Sequence, residues 1–249
     1  MDSMTFFAFP LNLILALIWF LTVCLSYKHA RGSKIVCFML SPAASIISIA
    51  LLAAFCLVIG LSGNRNLSES WPFILAMLFF MTVLAFVLVR GWKSGGKPRW
   101  RFILNHAGLL LALSSAFWGA PDSETLRFQA FMDTPVREAY RMDGSRVWLP
   151  CEVELKNFDV RLSGDGTPSH FAAEVIADGE KVVLQVNHPY QLTFASDLYL
   201  TSYDPEDGRW CILQLVYEPW KYPALAGIIM MLAGAVLLFI QGPRKTQMI

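Results

Sequence analysis

The stretch RFILNHAGLLLALSSAFWGAPDSETLRFQAF, residues 101–131, decides the fold. After Arg101 it runs without a charge to Gly119, long enough for a helix to cross a hydrocarbon core about 30 Å thick. Then Pro121-Asp-Ser-Glu124 ends the apolar run, and 125–131 reads as a strand. A membrane span therefore passes directly into a folded β segment.

Working outward, four more apolar runs accompany 103–119: about 5–26, 35–61, 72–89 and 222–241, all free of charged residues. Apolar side chains occupy every side of each helical wheel, as lipid-facing spans require. The whole chain of 249 residues is 16% charged, where soluble domains carry about 25%. The first run has no basic n-region and no small-residue cleavage site, so it reads as a retained span.

Basic residues set the expected orientation. Lys28, Arg31 and Lys34 follow the first span, and Arg90, Lys93, Lys97, Arg99 and Arg101 lie between the third and fourth. Lys and Arg gather in cytoplasmic loops. The N-terminus is thus expected outside, and Arg244 and Lys245 inside. Segment 121–220 is then extracytoplasmic, with 17 acidic and 8 basic residues, a net of −9. These basic loops favour anionic lipid headgroups over nucleic acid.

Segment 121–220 carries short alternating runs: 125–131, 152–162, 171–177, 180–187, 197–203 and 209–218. Asp143-Gly144, Asp165-Gly166, Asp178-Gly179 and Asp207-Gly208 punctuate them as turns. A phase slip at Lys156-Asn157 predicts a bulge. The expected fold class is a mainly α-helical membrane protein with five spans and a small all-β, sandwich-like or curled-sheet domain. The expected parts are 1–120 with four spans, 121–220, and 221–249 with the last span and tail.

Few residues offer chemistry. P-loop, dinucleotide, HExxH and GxSxG patterns are absent. Cys151 and Cys211 share the outer segment; a disulfide, a pair of buried free thiols, or a redox pair are the alternatives. No CxxC occurs. His188, in Asn187-His188-Pro189-Tyr190, reads as a turn residue with a weak claim to function. His29 and His170 read as solvated. His106 lies about one turn inside a span, where an imidazole needs a partner helix, a cavity or a cofactor. A helix–helix hydrogen bond and a haem ligand through Nε2 both satisfy it.

Three stretches carry a family likeness: Arg101-Phe-Ile-Leu-Asn-His106-Ala-Gly108; Val183 to Tyr190 with Leu198 to Asp204; and Leu213 to Trp220 running into Ala226–Gly234. Over about 101–240 the chain resembles the ResB (CcsB) family of system II cytochrome c biogenesis. The resemblance implies a membrane subunit that, with a ResC (CcsA)-type partner, exports haem b and presents it to apocytochrome c. It implies His106 as a haem-iron ligand. The chain would be part of a holocytochrome c synthase complex, not an enzyme alone, in a bacterial inner (cytoplasmic) membrane. The family's outer domain is larger, and three spans precede it where this chain has four. The other reading is a non-catalytic scaffold or accessory subunit, packing through Ala226/Gly227 and Ala233/Gly234.

Overall fold

The computed structural model describes residues 7–63, 65–93, 100–162, 168–204 and 208–241. The tail cations Arg244 and Lys245, the loop cations Lys97 and Arg99, the Asp165-Gly166 turn and Asp207 lie outside these residues. The chain divides into two compact units, Met1–Pro121 with Lys221–Ile249, and Asp122–Trp220.

The first unit is helical: α1 (Leu11–His29), α2 (Lys34–Met39), α3 (Pro42–Ser62), α4 (Trp71–Lys93), α5 (Trp100–Gly119) and α6 (Lys221–Gln241). Five of these, all but α2, are long and apolar enough to cross a membrane. At 19 to 23 residues and 1.5 Å per residue, they reach about 28–35 Å.

One boundary corrects the sequence reading. The run 35–61 is not one helix but α2 followed by α3. Ser33 Oγ caps α2 by accepting from the Val36 amide, and Ser41 Oγ caps α3 by accepting from the Ala44 amide. Pro42 opens α3, where its missing N–H costs nothing. The second span is therefore Pro42–Ser62.

Helix α4 is the hub, packing against α1, α3 and α5. Met81, Leu84, Ala85 and Phe86 of α4 meet Val23 and Tyr27 of α1, Val36 of α2 and Leu110 of α5. Of the polar side chains inside, Asn12 and Trp19 find partners, as a membrane interior demands, while Trp118 Nε1 does not. Buried Asn12 donates to the Trp118 carbonyl at 2.8 Å, and Trp19 Nε1–H donates to Thr82 Oγ1 at 3.0 Å. The outward faces stay apolar, with Phe239 84% exposed.

Helices α5 and α6 meet backbone to backbone. A Cβ on Gly227 would lie 2.6 Å from the Gly108 carbonyl oxygen and 2.6 Å from the Ala112 amide nitrogen. One on Gly108 would lie 2.6 Å from the Gly227 oxygen. One on Gly234 would overlap the Asn105 side chain. The small-residue face expected on the last span is thus the α5 contact.

The second unit is one eight-stranded antiparallel sheet, the curled form of the expected architecture. Its strands are β1 (Glu124–Phe131), β2 (Val136–Arg141), β3 (Arg146–Leu162), β4 (Pro168–Ala177), β5 (Glu180–Gln185), β6 (Tyr190–Thr193), β7 (Ser196–Tyr203) and β8 (Trp210–Tyr217). Their order is β5-β4-β3-β2-β1-β8-β7-β6. Consecutive strands therefore lie side by side except β5 and β6, which form the two edges, and β8 returns to β1. Among the described residues the β5–β6 ladder alone is missing from a closed up-and-down ring.

Strands β2 and β6 were not legible in the sequence. β2, VREAYR, buries Ala139 alone, so pairing with β1 and β3 makes it a strand against its own composition. The expected strand 180–187 stops at Gln185, because Asn187 takes φ 61° and the His188 amide donates back to the Gln185 carbonyl. The predicted bulge is present, with the β3–β4 register shifting between Leu155 and Asn157. Asp178 and Gly179 both have positive φ, as a two-residue hairpin of the primed type needs.

Alternate residues point inward. Leu126, Phe128 and Ala130 of β1 join Cys211, Leu213 and Leu215 of β8, Leu198 and Leu200 of β7, and Val153 and Leu155 of β3. The curl brings Phe171 of β4 within 4.8 Å, ring to ring, of Tyr203 on β7, and Phe158 of β3 stacks on the same ring at 4.9 Å. The ends of the unit are tied together. Trp220 Nε1–H donates to Asp122 Oδ2 at 2.6 Å, beyond the Glu124–Tyr217 pair.

Candidate functional site

His106 sits six residues into α5, about 9 Å along the axis from Trp100. Its Nδ1 is 2.9 Å from the Phe102 carbonyl oxygen. A carbonyl can only accept, so Nδ1 carries the proton and, in the neutral ring, Nε2 keeps its lone pair. Among the described residues no hydrogen bond reaches Nε2. The ring also stacks on Phe102, centroids 4.0 Å apart and planes 29° apart. Phe102 in turn seats on α4, where a Cβ on Gly91 would overlap its ring edge. Asn105 takes no part: its Nδ2 donates to the Arg101 carbonyl at 2.7 Å and it faces Gly234.

The arrangement can do one thing chemically. A histidine whose Nδ1–H is held by a backbone carbonyl presents Nε2 as a metal ligand of fixed orientation. Among the described residues no group of three or more His, Cys, Asp or Glu is placed to hold a metal ion. Trp118, also on α5, packs its ring 6.3 Å from Trp19 and buries an Nε1–H with no hydrogen-bond partner.

In the β unit, residues from all three of its resemblance segments meet. Val186, Asn187 and Pro189 from the β5–β6 connection, Tyr199, Leu200 and Thr201 from β7, and Gln214 from β8 line an open pocket of about 530 Å³ with Phe171. This pocket borders the missing ladder. His188 itself is exposed and lies outside the lining. Tyr190 reaches across the gap instead, its hydroxyl donating to Glu180 at 2.9 Å.

Cys151 and Cys211 are free thiols, both buried in the β core. Strands β2 and β1 lie between them, about 14 Å along the sheet at 4.8 Å per strand. A disulfide needs Cα atoms within about 7 Å. Burial pushes the Cys211 thiol up to about 12, and burial also raises Cys151. Both favour the inert thiol over the nucleophilic thiolate. His29 is exposed and His170 half-buried.

Sequence reading singled out His106 but missed Gly91, Phe102 and the pocket. A glycine one turn from a helix end is weak punctuation by itself, and Phe102 reads as one apolar residue among many.

Neither the protein-family comparison nor the comparison with curated proteins gives a match. Among solved structures the chain is similar to one titled cytochrome c haem lyase CcmF, with a TM-score of 0.40 and 16% identity. The similarity covers 94% of this chain and 46% of that one, so the chain spans less than half its length.

Proposed function

We propose that this chain is a membrane subunit of cytochrome c biogenesis that helps carry haem b across a membrane and present it to apocytochrome c, with a ResC (CcsA)-type partner. The observation that carries the reading is His106, with Nδ1–H spent on the Phe102 carbonyl and Nε2 left with its lone pair. A single histidine such as His106 would be enough to hold haem iron from this chain. The resemblance over 101–240 adds the order of the three stretches.

Each part of the chain has a task in this account. His106 binds and orients haem on the cytoplasmic side, the basic loops holding that side inward. The β unit projects on the other side of a bacterial inner membrane, and its net −9 attracts basic apocytochrome segments. Haem supplies vinyl groups for attachment to the substrate's CxxCH thiols. The partner supplies the outer haem site.

The test is cytochrome c maturation in cells carrying His106→Ala beside the partner. Maturation is expected to fall at least about tenfold, which corresponds to 1.4 kcal/mol or more. Unchanged maturation with normal protein levels contradicts the reading. Binding of a basic apocytochrome should also weaken with added salt.

The scaffold reading has its own observation, the glycine contact of α5 with α6. On that reading His106 only packs, and His106→Ala leaves maturation intact while Gly227→Leu abolishes assembly with other subunits.

A further inference from the structure

A glycine inside a helix costs about 1 kcal/mol relative to alanine, so its place calls for a packing reason. Gly91 lies in the last turn of α4, and the reason is visible. Any side chain there would collide with the ring of Phe102. Phe102 sets its ring edge in the notch, and the imidazole of His106 stacks on that ring with centroids 4.0 Å apart. The same residue's carbonyl takes the Nδ1 proton at 2.9 Å. Three residues on two helices thus act in series: notch, wedge, ring.

We infer that Gly91 and Phe102 are positioning residues that preset His106 as the Nδ1–H tautomer, with Nε2 aimed away from α5 before anything binds. The carbonyl alone does not fix the ring. An imidazole on a helix has other rotamers, and one that swings away loses the i−4 bond. The stacked phenyl blocks that swing from one side. Gly91 lets the phenyl stay in place because it lacks the Cβ that would push the ring out. Preorganisation of this kind lowers what a ligand would otherwise spend on ordering the ring.

The inference deepens the haem reading but concerns the chain by itself, so the two fail separately. The experiment is nitrogen NMR of the full chain, labelled with ¹⁵N-histidine, in detergent micelles at pH 8. His106 is assigned by the signals lost in His106→Gln. In the wild type, one set of ring signals is expected, protonated at Nδ1 and unprotonated at Nε2. Phe102→Tyr should keep it, since the ring remains. Phe102→Ala should split it into two tautomers, as should Gly91→Leu. Circular dichroism and an unchanged His29 signal report that each variant is folded. An Nε2–H tautomer in the wild type overturns the inference. So does a single unchanged tautomer in Phe102→Ala. Absence of a Soret band after haem addition would sink the haem reading and leave this result standing.

Discussion

The two units of this chain solve the same problem in opposite ways. In the β unit the sheet curls around its own side chains, and Leu155, Leu213 and Leu184 have no exposed surface. In the helical unit the spans bury as little as 11% of their apolar windows, on α3 and α6, and at most 33%, on α4. The first is a core that water drives together. The second leaves its apolar surface to lipid or to partner helices, and holds itself by close backbone contact and a few polar bonds. Truncating a side chain should therefore cost a great deal in one unit and little in the other, while adding one should reverse the order.

The largest expected effect is in the β core. Leu155→Ala or Leu213→Ala should destabilise that unit by about 2–5 kcal/mol, transfer plus cavity. Ile46→Ala or Phe239→Ala on the outer helix faces should change stability in detergent by less than about 0.5 kcal/mol. Denaturation followed by hydrogen exchange of each unit measures both. Equal effects would erase the contrast.

Next comes the α5–α6 seam. Gly227→Leu or Gly108→Leu forces the backbones apart and should cost about 1–3 kcal/mol. Thermal unfolding in detergent reads this. A neutral result would mean that the two helices do not touch as described.

Smaller still is the tie between the ends of the β unit. Trp220→Phe removes the bond to Asp122 and should cost about 1–2 kcal/mol. Asp122→Ala should cost at least as much, and adding Trp220→Phe to it should cost little more.

The effect that vanishes at neutral pH is a pH slope of the β unit, which appears only in alkali. The Cys211 thiol ionises near 9 when unfolded and about 12 when folded. Below pH 9 both states are neutral and its contribution is complete. Above 9 the unfolded thiolate draws the equilibrium, so stability falls as pH rises through 9 toward 12. Cys211→Ala should flatten that slope while lowering stability at pH 7. In labelling at pH 8, exposed Cys37 should react and Cys211 should not until the unit unfolds.

Much of this contrast was legible in the sequence. Charge-free runs gave all five spans, and alternation with Asp-Gly turns gave the strands flanking the core. What stayed hidden depends on partners. The Lys34–Ser62 region breaks at Ser41-Pro42, where a capping serine and a proline outweigh continuous hydropathy. β2 exists because β1 and β3 flank it. At the candidate site, His106 stood out because polarity in a span is costly. Phe102 and Gly91 did not, since their roles come from a contact between α4 and α5 that no local pattern encodes.

The central claim is that His106 offers Nε2 to haem. The direct measurement is the absorption spectrum of the detergent-purified full chain, alone and co-expressed with a ResC-type partner, as wild type and His106→Ala. The account predicts a Soret band in the wild type that His106→Ala loses in both preparations. An equal Soret band in the variant, or none in either preparation of the wild type, would contradict it.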